Sequence, residues 1–512
     1  MATVTLDELF QRQVAMRGDK IALRFERDAV TYGDLDRRAT QIAHGLRARG
    51  FGAGDRVAYL GKNSLAYLEY FLGAMKARMA TVPVNWRLAE PEIAYVLDNS
   101  RARMVLVESQ FEALAAKVAP DIPRLVTGGA PDTFAAWRDR QHAHAVTVGT
   151  DVLAPVLQLY TSGTTGRPKG AVLTHRSLLG LRADPELMPD WYRWSCDDVS
   201  LIAMPVAHIS GTGWAIWTLQ EGATGIISRE FDPNALFDQM VRNRINKVML
   251  VPTAMQIAVR HPQAAHTDFG FLRYVYYGGA PLPAALLAEC QAVFRCGFVQ
   301  MYGMTETSGT IVALAPEDHD PANGARLRSV GKALPGVELK IIDIAGNELP
   351  VGSSGEIATR SPSNMTGYFE MTQATAETID AAGWLRTGDV GYIDADGYLF
   401  LQDRAKDLII SGGENIYPAE VENAIYGHPA VSEVAVVGVP DEKWGEAVKA
   451  VVVLAAGAQP DEAGIIAWAA ERIARYKLPK SVDFVSALPR NHTGKVLRRE
   501  LRDHYRGLSS RH

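Results

Sequence analysis

"LYTSGTTGRPKG", Leu159 to Gly170, places three glycines, four serine or threonine hydroxyls and Lys169 within twelve residues. Such a stretch offers little apolar surface for packing. Its lead-in, "VLQLY" (Val156 to Tyr160), reads as a buried strand. A buried strand feeding a glycine-rich loop has a physical use. Without Cβ atoms, backbone N–H groups turn inward and approach an anion closely. Thr161, Ser162, Thr164 and Thr165 add hydroxyl donors, and Lys169 adds a charge for phosphate oxygens. The plain alternative is a solvated Gly/Ser/Thr linker. Pro168, which restricts the backbone, and the strand leading straight in both argue against it. The loop is not a Walker A loop, because Gly163 and Gly166 lie three apart and Lys169 precedes Gly170.

Working outward, helix and strand patterns alternate. Leu6, Leu9, Phe10 and Val14 recur at helical spacing before the strand "IALRF". Tyr32 to Leu46 mark a second helix that Gly50 can end. "RVAYL" is a strand, Ser64 a plausible cap for the helix "SLAYLEYFLGAMKA", and "ATVPV" another strand. This alternation predicts an α/β sheet with helices on its faces. "LRYVYYGGAPLP" repeats the pattern, with a strand ending in a glycine turn. After about Gly331, short strands around turn residues predict a β-rich portion. The pattern changes again near Arg404, where the last hundred or so residues read as a compact α+β unit. We therefore expect a large N-terminal α/β domain with a β-rich portion over residues 1–403. A small, mobile C-terminal α+β domain is expected over 404–512.

Composition narrows the classes. The 512 residues exceed what one hydrophobic core supports. A net charge of −5 without a long basic run gives no electrostatic support for nucleic-acid binding. Cys196, Cys290 and Cys296 form neither a metal-type pair nor a disulfide framework, which fits a reducing compartment. The first residues lack the apolar core of a signal peptide, and no apolar run is long enough to span a membrane. A cytoplasmic protein without an integral membrane segment is expected.

"YTSGTTGRPKGAVLTH" resembles the phosphate loop of the AMP-forming adenylating enzymes: acyl-CoA synthetases, luciferases and peptide synthetase adenylation domains. "YGGAPLP", "MYGMTET", "GWLRTGDVGYIDADGYLFLQDRAKDLIISGGENIYPAEVE" and "PRNHTGKVLRREL" resemble further motifs of that family, in the family's order. The resemblance implies ATP, Mg²⁺ and coenzyme A as reaction partners, and assigns residues. Thr161, Ser162, Gly163, Thr164, Thr165, Gly166 and Lys169 hold phosphates. Gly278, Gly279 and Ala280 line the adenine and acyl sites. In "MYGMTET", Tyr302 can stack on adenine, Gly303 belongs to the cofactor-binding set, and Thr305 can bond a phosphate. Glu306 matches the magnesium-binding glutamate, and a hard carboxylate suits that ion. Asp389 accepts from the ribose hydroxyls, Arg404 contacts ribose and phosphate, and Lys406 stands at the hinge. Lys495 stabilises charge in the adenylation transition state. Taken singly, most of these residues are explained as well by packing, turns or solvated charge.

The implied activity is that of an acyl-CoA ligase: an acid becomes an acyl-adenylate with release of pyrophosphate, then a thioester with release of AMP. A free-standing enzyme loading a carrier protein, and a non-catalytic nucleotide-binding protein, are the competing readings. Amino-acid-activating relatives place an aspartate where "MPVAHISGTGW" has His208, which disfavours an amino-acid substrate. In this family an aromatic or His side chain at the His208 position gates the acyl pocket, and Gly211, Gly213, Trp214 and Trp217 follow it. Resemblance to bacterial fatty-acyl-CoA ligases puts medium- or long-chain fatty acids first and ring-bearing acids second. A homodimer is compatible with the sequence.

Overall fold

The computed structural model describes all residues except 1–3, 147–148, 162–167, 184, 281, 321–323, 405–406, 408, 412–413, 417, 442–443, 474, 491–495 and 510–512. The predicted α/β alternation is present. Strands cover Ile21–Phe25, Arg56–Leu60 and Ala80–Val84, and helices cover Leu6–Arg17, Tyr32–Ala48 and Leu65–Lys76. The boundaries follow from local chemistry. Ser64 caps the third helix by accepting from Tyr67 N–H at 3.1 Å. Beyond the second helix, Gly50 takes a φ of 76° that disfavours a side chain.

Two large sheets form the bulk of the chain. One, of nine strands among the described residues, is mostly parallel and carries Tyr274–Gly278 and Gly297–Met304 side by side. The other has seven strands and carries Pro155–Thr161 paired antiparallel with Lys169–Thr174. Helix Leu65–Lys76 touches strands of both sheets, and nearly every residue in it is buried. That burial explains a sequence apolar on all sides. Its one buried cation, Lys76, is paired with Asp36 at 2.8 Å and Asp7 at 3.3 Å.

After Gly331 the expected β-rich portion is a four-stranded antiparallel sheet, ending in Leu385–Ile393 and Leu399–Arg404. The C-terminal part has its own five-stranded sheet and its own apolar cores, one around Ile416, Val436 and Ile465. The fold is thus a large N-terminal α/β domain followed by a small C-terminal α+β domain. Tyr426, at the end of the C-terminal helix Pro418–Tyr426, meets the large part where its hydroxyl accepts from Gln256 Nε2 at 3.2 Å. No helix among the described residues is long and apolar enough to cross a membrane.

Candidate active site

The strands on either side of the glycine-rich loop, Pro155–Thr161 and Lys169–Thr174, pair as an antiparallel hairpin with Thr161 directly opposite Lys169. Ser162, Gly163, Thr164, Thr165 and Gly166 lie outside the described residues, as do Lys406 and Lys495. Arg404 is described by its backbone, which pairs with Asp389.

Below the hairpin, Thr161 Oγ1 donates to Glu306 Oε1 at 3.2 Å, and the Tyr368 hydroxyl donates to the same oxygen at 2.9 Å. Lys169 Nζ lies 4.9 Å from the Tyr368 ring centroid. The Tyr368 phenol is pushed up by burial and then by the neighbouring Glu306 charge. Glu306 is only 5% exposed, and among the described residues it forms no ion pair. A buried carboxylate without a cation is costly, so an incoming cation would be strongly favoured there. Among the described residues no three His, Cys, Asp or Glu side chains converge as a metal cage. One carboxylate whose second oxygen has no hydrogen-bond partner among the described residues is a donor set that fits Mg²⁺, which takes one or two protein carboxylates plus phosphate oxygens and waters.

Local folding puts Glu306 there. Strand Gly297–Met304 ends in a single tight turn, Thr305–Thr307, and Gly309–Leu314 runs back antiparallel. The Thr307 hydroxyl accepts from Met304 N–H at 3.0 Å and donates to the Gly309 carbonyl at 2.7 Å. At Gly303 an added Cβ would lie 1.9 Å from the Gly309 carbonyl oxygen, so the turn closes only over glycine. Thr305 starts this turn, beside Glu306.

The second cluster joins Tyr302 to Asp389. The Tyr302 hydroxyl donates to Asp389 Oδ2 at 2.9 Å, and its ring packs with Ile311, Val312 and Val330. A third region lies at the ends of the parallel strands. Gly278 faces the Met301 carbonyl oxygen, which an added Cβ would approach to 2.3 Å. Gly279 follows with a φ of 82°, then Ala280. His208 stands at the N-cap of helix Ile209–Gln220, and its Nε2 lies 3.4 Å from Asn85 Nδ2. Ile209 connects this helix to the Glu306 turn: a Cβ on Gly309 would sit 3.7 Å from Ile209 Cγ1.

Sequence reasoning missed Tyr368 and Asn85. Tyr368 follows the glycine of "TGYFE", but 62 residues separate it from Glu306. Pairing of Gly367–Tyr368 with Ala171–Val172 brings it to the hairpin. Trp214 and Trp217, which follow His208 in the sequence, are 4% and 3% exposed and pack against each other.

Residues 10–369 match the family described as AMP-binding enzyme, and 420–495 match the AMP-binding enzyme C-terminal domain. The fatty acid–[acyl-carrier-protein] ligase ScoC of Streptomyces coeruleorubidus is 42% identical, over 96% of this chain and 94% of that protein. A feruloyl-CoA synthase of Amycolatopsis is 40% identical, over 96% and 97%. The crystal structure of ATP-bound MatB from Rhodopseudomonas palustris superposes with a TM-score of 0.89 at 33% identity, covering 98% of this chain and 99% of that one.

Proposed function

Because this chain belongs to the AMP-binding enzyme family and is an AMP-forming acid–thiol ligase, we propose that it joins a hydrophobic monocarboxylic acid to coenzyme A through an acyl-adenylate. The observation that carries the reading is Glu306. It is a buried carboxylate without a cationic partner among the described residues, bonded to the residue that opens the glycine-rich loop.

In the first half-reaction a carboxylate oxygen of the acid attacks the α-phosphorus of ATP, and the bond to pyrophosphate breaks. Thr161, the loop hydroxyls and Lys169 hold the phosphates. Asp389, one oxygen of which is fixed by the Tyr302 hydroxyl, accepts from the ribose hydroxyls. Glu306 would hold Mg²⁺, which neutralises developing phosphate charge when bound. Lys495 adds positive charge at the α-phosphate, and His208 borders the reacting carboxylate. In the second half-reaction the thiol sulfur, having lost its proton, attacks the acyl carbon and AMP leaves. The ScoC relative is named for a carrier-protein acceptor, which supports a carrier thiol as the second reading.

The direct test is AMP formation from ATP across a panel of acids, with and without coenzyme A. Acid-dependent AMP with thioester only when coenzyme A is present is the expected result. ATP hydrolysis indifferent to both would reject the reading. Lys495→Ala should slow adenylate formation by about 10²-fold or more, as loss of an electrostatic donor does. Thioester formation from supplied acyl-adenylate should suffer far less. Equal losses in both halves would exclude that role for Lys495.

A further inference from the structure

Thr161 and Lys169 stand directly opposite each other in the antiparallel pair, so their side chains leave the sheet on one face, with Cβ atoms about 5 Å apart. The shorter side chain already reaches Glu306, with Thr161 Oγ1 lying 3.2 Å from Oε1. Lysine carries a longer, flexible four-carbon stem. An ammonium that close to a buried carboxylate has every electrostatic reason to pair with it, because an unpaired buried charge is costly. Yet among the described residues no ion pair joins Lys169 to Glu306. Lys169 Nζ sits over the Tyr368 ring instead, 4.9 Å from its centroid, while the Tyr368 hydroxyl donates to Glu306 Oε1 at 2.9 Å. One side chain therefore holds the cation on its face and the anion at its edge.

The backbone around Tyr368 is tied to both charged neighbours. Met365 N–H donates to the Glu306 carbonyl at 2.7 Å, and Phe369 N–H donates to the Gly170 carbonyl, next to Lys169, at 2.8 Å. Between these two bonds Tyr368 pairs with Ala171, and its own N–H donates to Thr375 Oγ1 at 2.9 Å. Gly367 makes this path possible: it has a φ of 148°, and a Cβ there would lie 2.7 Å from Thr375 Cγ2. The ring is thus carried by a segment stitched to the Glu306 turn at one end and to the lysine strand at the other. It cannot drift from one charge without straining its link to the other.

We propose that Tyr368 is a positioning residue whose ring keeps Lys169 and Glu306 apart, leaving the lysine for the phosphate oxygens of ATP and the carboxylate for the cation that accompanies them. The inference rests on the ligase reading above. Were the two charges paired, ATP would have to break that pair before it could use either. Charges held ready and unpaired in a site that excludes water act on a ligand without that cost. The ring offers the ammonium a cation–π contact, weaker than an ion pair and therefore easily exchanged for phosphate.

The test is the Kd for ATP, measured by calorimetry in EDTA so that no metal takes part, across a double-mutant cycle. Tyr368→Ala should weaken ATP about 10-fold, the effect of losing one charged hydrogen bond to phosphate, because Lys169 now pairs with Glu306. Glu306→Gln removes a negative charge and should tighten ATP somewhat in the parent protein. In the Tyr368→Ala background the same change also releases Lys169, so its gain should be about 10-fold larger. Tyr368→Phe loses the hydroxyl but keeps the ring, and there Glu306→Gln should give only the parent's gain. An equal gain in the parent and Tyr368→Ala backgrounds would overturn the inference, as mere loss of packing predicts. An enlarged gain in Tyr368→Phe would also overturn it, by assigning the effect to the hydroxyl. Should Tyr368→Ala fail to melt cooperatively, Tyr368→Leu takes its place with the same expectations. These outcomes leave the ligase reading intact when the parent protein forms acid-dependent AMP. If the parent binds no ATP with or without Mg²⁺, that reading falls, and this inference with it.

Discussion

Glu306 is the residue on which most of the proposed chemistry converges. Its Oε1 takes two hydroxyl donors, from Thr161 and Tyr368, while burial denies it water. Replacing it with glutamine keeps the shape and the acceptor oxygen and removes the charge. Glu306→Gln should lower adenylate formation, read as pyrophosphate exchange, by about 10²-fold, because the charge we propose to position the metal is gone. The same change should leave the melting temperature of the ligand-free protein unchanged or raised, since an unpaired buried charge has been removed. A fall in both activity and melting temperature would mark Glu306 as a structural residue instead.

At the scale of elements, two buried histidines hold helices and turns in place while neutral. His175, at the start of helix His175–Leu179, accepts through Nδ1 from Leu6 N–H at 3.2 Å, one of the free amides at the head of helix Leu6–Arg17. His319 donates from Nδ1 to the Ala315 carbonyl at 2.8 Å, and its Nε2 accepts from the Tyr277 hydroxyl at 2.9 Å. Burial pushes both imidazoles down to about 4. In the unfolded chain they take up protons near the ordinary value of about 6.5. Below that pH the unfolded state binds more protons than the folded one. Stability is therefore fully present above about pH 6.5 and is lost as pH falls toward 4, by up to about 1.4 kcal/mol per unit for each histidine. The melting temperature should fall between pH 7 and pH 5, and His319→Gln should flatten that slope. An unchanged slope would rule out His319 as a contributor.

At the scale of the whole molecule, the N-terminal sheets carry the hairpin, the Glu306 turn and Asp389, whereas Lys495 belongs to the C-terminal part. We propose that the two parts re-orient between half-reactions about Lys406, at the boundary placed near residue 404. A hinge needs backbone freedom, which proline removes by fixing φ. Lys406→Pro should retain substantial adenylation and lose thioester formation, measured separately with pyrophosphate exchange and with supplied acyl-adenylate. Normal rates in both halves would remove Lys406 as a required hinge.

Much of this was legible along the chain because it depends on short-range chemistry. The Ser64 cap, the strand before the glycine-rich loop, the two C-terminal strands Val431–Asp441 and Gly445–Leu454 and the helix after Leu497 follow from periodicity and turn residues. The apolar run from Glu462 is helical to Ala470, and a short turn at Arg475–Lys477 follows. Candidate residues in motifs were likewise visible, because their types and spacing are contiguous. Tyr368 was not, since nothing within "TGYFE" states that its strand will pair beside the hairpin. The tryptophans show the same limit. Their sequence suits a pocket wall or a core equally well, and the fatty-acid-first expectation came from resemblance alone. Packing against Tyr276, Tyr192 and Trp194, contributed by segments outside the helix, buries both rings in an aromatic cluster. Local propensity is set by neighbours in the chain, while the size of a pocket and the partner of a buried donor are set by whichever distant segments fold against it.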